Sequence, residues 1–138
     1  MSVGLLLITH GNVGDALEKA AVSVLGSSPL RTKVLAVQDN DDPETLIPKA
    51  ITCVEKLDNG DGVLVLTDMY GSTPSNIACA LKNYHVAIVS GLNLPMLIRI
   101  MNYPTAKLAA LTEKAIHAGS EGIVQCSLEE PQHAAPGN

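Results

Sequence analysis

Met1-Ser-Val-Gly-Leu-Leu-Leu-Ile-Thr-His10-Gly11 is an apolar run that stops at a histidine. Its valine, leucines and isoleucine are not interrupted by polar side chains, which predicts a central strand covered on both faces, as in a parallel sheet. His10 then stands at the strand's carboxyl end. In open α/β sheets ligands and chemistry collect there, because strands stop and helix N-termini with free N–H groups begin. Gly62-Val-Leu-Val-Leu-Thr67 repeats the pattern and ends in Asp68, followed by Met69-Tyr-Gly-Ser-Thr-Pro-Ser-Asn76. An imidazole and a carboxylate at the ends of two strands of one parallel sheet can lie side by side, and that pair is the functional expectation.

Working outward, Gly11 to Gly14 reads as a turn and Asp15 as a helix N-cap. Ala16, Leu17, Ala20, Ala21, Val24 and Leu25 then follow helical spacing. Lys33 to Val37 is a short strand, and the polar Gln38 to Asp42 leads into a helix from Pro43 to Leu57. After the Asp68 loop the pattern predicts a short helix over 74–81, a strand over 85–89, and helices over 96–101 and 106–118. Ile123 to Cys126 is a last β-type run with no helix after it, the mark of an edge strand able to pair with a second subunit. Strands alternate with helices throughout, so the expected fold is a doubly wound, mostly parallel α/β domain over residues 1–127, with a loose tail at 128–138.

Composition narrows the function. The chain has 138 residues and a net charge of −5, with no Phe or Trp and only three Tyr. The core must be aliphatic, and aromatic platforms for nucleobases are missing. Net negative charge without a basic run disfavours nucleic acid and anionic membrane surfaces as partners. The first apolar run is too short to insert in a membrane and no basic segment precedes it, so a cytoplasmic protein is expected. Cys53, Cys79 and Cys126 are odd in number and widely spaced, and read as buried thiols rather than disulfides or metal ligands.

No Walker A loop, dinucleotide fingerprint or G-x-S-x-G elbow is present, so neither nucleotide binding by those routes nor serine hydrolysis has support. No third ligand joins His10 and Asp68, so no metal is expected, nor any other cofactor. What the residues do suit is a nucleophilic imidazole: a carboxylate accepts the N–H of one ring nitrogen, fixes the tautomer and leaves the other's lone pair facing solvent. The loop Gly71-Ser-Thr-Pro-Ser-Asn76 adds glycine backbone, hydroxyls and a helix start opened by Pro74, all suited to a phosphoryl group.

On these residues, and on Ser90-Gly-Leu-Asn-Leu-Pro-Met-Leu97 and Glu121-Gly-Ile-Val124, the sequence resembles the IIA component of mannose-type sugar phosphotransferase systems, the fructose-subfamily IIA. The resemblance implies a flavodoxin-like sheet and a homodimer that exchanges its C-terminal strand. It places the phosphorylated histidine at His10 and the orienting aspartate at Asp68, with Gly11, Gly71, Ser72 and Thr73 around the phosphate. Relatives often carry serine where Thr73 stands. Tyr70, Asn93 and Pro95 fall on the partner surface.

The function it implies is a phosphoryl carrier that accepts phosphate from phospho-HPr and passes it to a IIB protein, beside but not within a membrane transporter. No IIB segment or long linker follows, so a separate IIB protein, or none, is expected. Two other roles fit the same residues: a regulatory module outside transport, and the IIA-like subunit of a phosphoenolpyruvate-dependent dihydroxyacetone kinase.

Overall fold

The computed structural model describes residues 2–128. Four strands, β1 (Gly4–His10), β2 (Thr32–Val37), β3 (Val63–Thr67) and β4 (Val86–Ser90), alternate with five helices. The helices are α1 (Val13–Leu25), α2 (Pro43–Leu57), α3 (Thr73–Cys79), α4 (Leu94–Met101) and α5 (Leu108–Glu121). All strand pairs are parallel, in the order β2-β1-β3-β4. That order is the flavodoxin-like arrangement, and its direction reverses between β1 and β3.

The unbroken apolar runs have the cause expected of them. Leu5 and Leu7 of β1 and Leu64 and Leu66 of β3 pack beneath α1, α4 and α5, against Ala21, Leu97, Ile100, Leu111 and Ala115. Leu6 and Ile8, with Val63 and Val65, face the other way onto Leu46, Ala50 and Val54 of α2 and Ile77 and Ala78 of α3. Every one of these strand residues has no exposed surface. Burying each such side chain is worth about 1.5–3 kcal/mol, which is why a strand in this position carries no polar alternation.

Several boundaries differ from the sequence reading. α1 starts at Val13, with Asn12 as N-cap and Asp15 inside its first turn. Gly14 is therefore not a turn glycine. It is buried, its N–H donates to Thr9 Oγ1 at 2.8 Å, and a Cβ there would meet Thr9 Oγ1 and Val34 Cγ1, each at 2.9 Å. α5 continues past Ala118 to Glu121, taking in Gly119, which is buried against the Met96 side chain. α3 is shorter than expected, closing in a series of turns after Cys79.

Ile123 to Cys126 forms no strand in the single chain, and residues 121–128 are all exposed. A strand needs a neighbour to take its N–H and C=O groups, and this run has none beside it. Cys79 and Cys126 are exposed and Cys53 half-buried, against the expectation of buried thiols. The expected loose tail, apart from Leu128 at its start, lies outside the described residues.

Candidate functional site

The strand order reverses between β1 and β3, and the carboxyl ends of two such strands are the usual place for a site in sheets of this kind. His10 is the last residue of β1, and Asp68 is the first residue after β3. The structure brings them together. Asp68 Oδ2 accepts two hydrogen bonds, from the His10 backbone N–H at 3.0 Å and from His10 Nδ1 at 2.9 Å. The backbone bond fixes the carboxylate relative to the strand, and the side-chain bond fixes the ring relative to the carboxylate.

Facing a carboxylate acceptor, Nδ1 carries the proton of the neutral ring, and Nε2 keeps its lone pair. The imidazole side chain is 44% exposed while that of Asp68 is 15% exposed. One nitrogen is thus held within the protein and the ring's outer side is open to a visiting molecule. Asp68 Oδ1 is buried and has no hydrogen-bond partner among the described residues. A carboxylate so poorly compensated gains when positive charge develops on the neighbouring ring.

The surrounding loops fall into two kinds. Gly11 turns the chain with φ +45°, and its N–H donates to Val37 O at 2.8 Å, tying the histidine loop to the end of β2. Its amide is therefore engaged within the fold. Gly71 has φ +80° with open space around it, the left-handed conformation that lets the loop double back toward α3. The Ser72 hydroxyl donates to Met69 O at 2.6 Å and closes that loop. Thr73 is the first residue of α3, half-buried, and its hydroxyl has no partner among the described residues. Of the Ser72 and Thr73 hydroxyls, that of Ser72 is engaged and that of Thr73 is not, among the described residues.

The expected partner-surface residues separate in the same way. Tyr70 is 83% exposed, next to Met69 at 57%. Pro95 is exposed, and Asn93 is half-buried as the N-cap of α4. The Asn93 amide is spent internally: Oδ1 accepts from Met96 N–H and Nδ2 donates to Gly119 O, both at 3.0 Å.

Three hydroxyl residues escaped the sequence reading. Thr9 holds the first turn of α1, and Thr67 Oγ1 lies 2.7 Å from Ser90 Oγ. The signal was present, since each is the polar residue at or near the end of an otherwise aliphatic strand.

Acid groups cluster near the same end of the sheet without forming a second site. The Asp39 to Asp42 loop follows Val37, the register partner of His10. In it, Asp41 accepts from Gln38 N–H and Asp42 caps α2 through Glu44 N–H. In α1, burial raises the carboxyl pKa of Glu18 above its ordinary 4.5, and the charge of Asp15 raises it further.

A family model described as the fructose IIA component of the phosphotransferase system matches residues 4–116. The chain belongs to this IIA family. The mannose-specific EIIAB component of Escherichia coli (strain K12) is 29% identical over 140 residues, covering 99% of this chain and 43% of its own length. The chain thus spans less than half of the curated relatives it matches. Among solved structures, the mannose/sorbose-specific IIA subunit from Enterococcus faecalis superposes with a TM-score of 0.83 at 23% identity, over 96% of this chain and 100% of that one. A IIA protein associated with the fucose utilization operon of Streptococcus pneumoniae gives a TM-score of 0.77 at 25% identity, over 91% and 96%.

Proposed function

We propose that the protein is a phosphoryl carrier of a phosphoenolpyruvate-dependent sugar phosphotransferase system, with His10 as its nucleophile. The observation that carries this reading is the 2.9 Å contact between His10 Nδ1 and Asp68 Oδ2 beneath an open ring face. Phospho-HPr presents a phosphohistidine to that face. The Nε2 lone pair attacks phosphorus, the new N–P bond forms as the donor's P–N bond breaks, and the donor ring leaves with the bonding pair.

Nδ1 keeps its proton toward Asp68, whose charge offsets the positive charge building on the imidazole. No proton needs to cross the site, and in onward transfer the His10 N–P bond breaks as a nucleophile of a IIB protein attacks phosphorus, with the His10 ring leaving with the bonding pair. In this reading the Thr73 hydroxyl, which has no partner among the described residues, and the Gly71 to Thr73 backbone meet the phosphoryl oxygens. The glycine at 11 leaves the approach to the ring unobstructed. Tyr70 and Met69 supply an apolar rim for two partners that dock in turn, in the cytoplasm and alongside a transporter.

The exposed run after α5 supports the homodimer. Ile123 is 82% exposed and Val124 77%, an apolar arm that a second copy would cover by pairing it as a strand. The test of the carrier is labelling with phosphoenolpyruvate, enzyme I and HPr. The wild type should take up an acid-labile phosphoryl group and His10→Ala none. Undiminished labelling of His10→Ala would overturn the assignment.

A further inference from the structure

We infer that the hydroxyl pair formed by the buried Thr67 and the half-buried Ser90 positions the carboxylate of Asp68, so that both are positioning residues for the transfer proposed above, on which this inference rests. Thr67 ends an aliphatic strand and has no exposed surface. Valine would fill the same space without a hydroxyl to desolvate, so a threonine here asks for a bonded partner. That partner is its register mate on β4: Thr67 pairs with Ser90, and their oxygens are 2.7 Å apart.

The threonine's main chain is held from the same side. Thr67 O accepts the N–H groups of both Gly91 and Leu92 at 3.0 Å. Thr67 thus makes three hydrogen bonds to residues 90–92, one through its side chain and two through its carbonyl. Asp68 is the next residue. Its backbone is set from the β4 side, while its side chain reaches across to β1 and holds His10 by two bonds to a single oxygen.

A carboxylate oxygen that must meet two donors at once tolerates little displacement, and small misplacements of reacting groups cost large factors in rate. The bonds from Gly91 and Leu92 are main-chain bonds and fix where Thr67 ends. The hydroxyl pair removes the remaining freedom, the sliding of the β3 end against β4. The same loop continues into Asn93, which bonds Gly119 O, so the carboxylate is referenced to a rigid corner built from α4 and α5.

The test compares Thr67→Val, Ser90→Ala and Thr67→Ser with the wild type by two measurements: the ring nitrogen-15 spectrum of His10, and the rate of phosphoryl uptake from phospho-HPr. The wild type and Thr67→Ser should show the Nδ1–H tautomer. Thr67→Val and Ser90→Ala should show mixed tautomers and take up the phosphoryl group about tenfold more slowly. Thermal melts identify a variant that has lost its fold, and the remaining one then decides. An unchanged tautomer in the folded variants overturns the inference whatever the rate. If the wild type takes up no phosphoryl group, the carrier reading falls, and the tautomer comparison still decides whether the hydroxyl pair positions Asp68.

Discussion

At the scale of single residues, the site depends on which nitrogen of one ring holds the proton. Asp68 can only accept, so it selects the Nδ1–H form and leaves Nε2 nucleophilic. Asparagine has nearly the same shape, and its carbonyl oxygen can take both of the donors that meet Oδ2, but it brings no negative charge to offset the positive charge that builds on the ring. Asp68→Asn should therefore keep the fold and lower the rate of phosphoryl uptake by about a hundredfold or more, measured by rapid quench against the wild type. A variant that reacts at the wild-type rate would remove Asp68 from its orienting role. Both residues were legible in the sequence because each interrupts an aliphatic run at the end of a strand. Their contact was an inference from topology, and the two bonds to one oxygen could not be read from order along the chain. Nor could Thr67 and Ser90, since a hydroxyl at a strand end has many ordinary uses and its partner lies 23 positions away.

At the scale of elements, glycines and caps decide where helices meet the sheet. The sequence reading placed the start of α1 too late because glycine is the common mark of a turn. At Gly14 the residue instead permits close approach of the helix to Thr9 and Val34. Gly14→Ala should cost about 1–3 kcal/mol by overpacking and move the first turn of α1, with a lower melting temperature and slower labelling of His10. At the far end of the sheet, Asp58 caps α2 and its Oδ1 accepts from Gly60 N–H at 2.9 Å and Gly62 N–H at 3.0 Å. The backbone N–H of Gly60 is the main cause that holds its carboxyl pKa below the ordinary 3.8, aided by Gly62 and by the charges of His85 and Arg31. A depressed pKa means that the unfolded chain binds the proton more readily, so this contribution is present above about pH 3.8 and lost as pH falls further. Asp58→Asn, which keeps an acceptor but loses the charge, should melt a few degrees lower at pH 7, about 3–5 °C for a chain of this size. The difference should close in melts taken below pH 3.8. A constant difference across that range would show that charge is not what Asp58 contributes.

At the scale of the whole molecule, the sheet has two edges, and they are not equivalent. The β2 edge, Thr32-Lys-Val-Leu-Ala-Val37, carries the exposed Lys33, a charge that discourages pairing with another chain. The β4 edge, Val86-Ala-Ile-Val-Ser90, has no charge and no proline. It is flanked by hollows lined by Tyr70, Cys79, Ile116 and Ile123, where Ile116 is itself 53% exposed. An unprotected edge and an apolar arm in one chain answer each other's unpaired groups if two copies exchange arms. The sequence disclosed the arm as a β-type run but could not say that it remains unpaired in the single chain, because pairing depends on a neighbour that sequence order does not supply. The point of departure is fixed: a Cβ at Gly122 would collide with the Pro95 ring, so the chain leaves α5 pressed against the start of α4. Val124→Asp places a charge in the middle of the arm, where burial against a second copy would have to desolvate it. By light scattering, the wild type should have twice the 14.4 kDa chain mass and Val124→Asp the single mass at the same concentration. Because the arm lies outside the His10 to Asp68 contact, the variant should retain the Nδ1–H tautomer in its ring nitrogen-15 spectrum even as a monomer. A wild type that is monomeric at high micromolar concentration, or a Val124→Asp variant that remains dimeric, would rule out exchange of this arm as the basis of association.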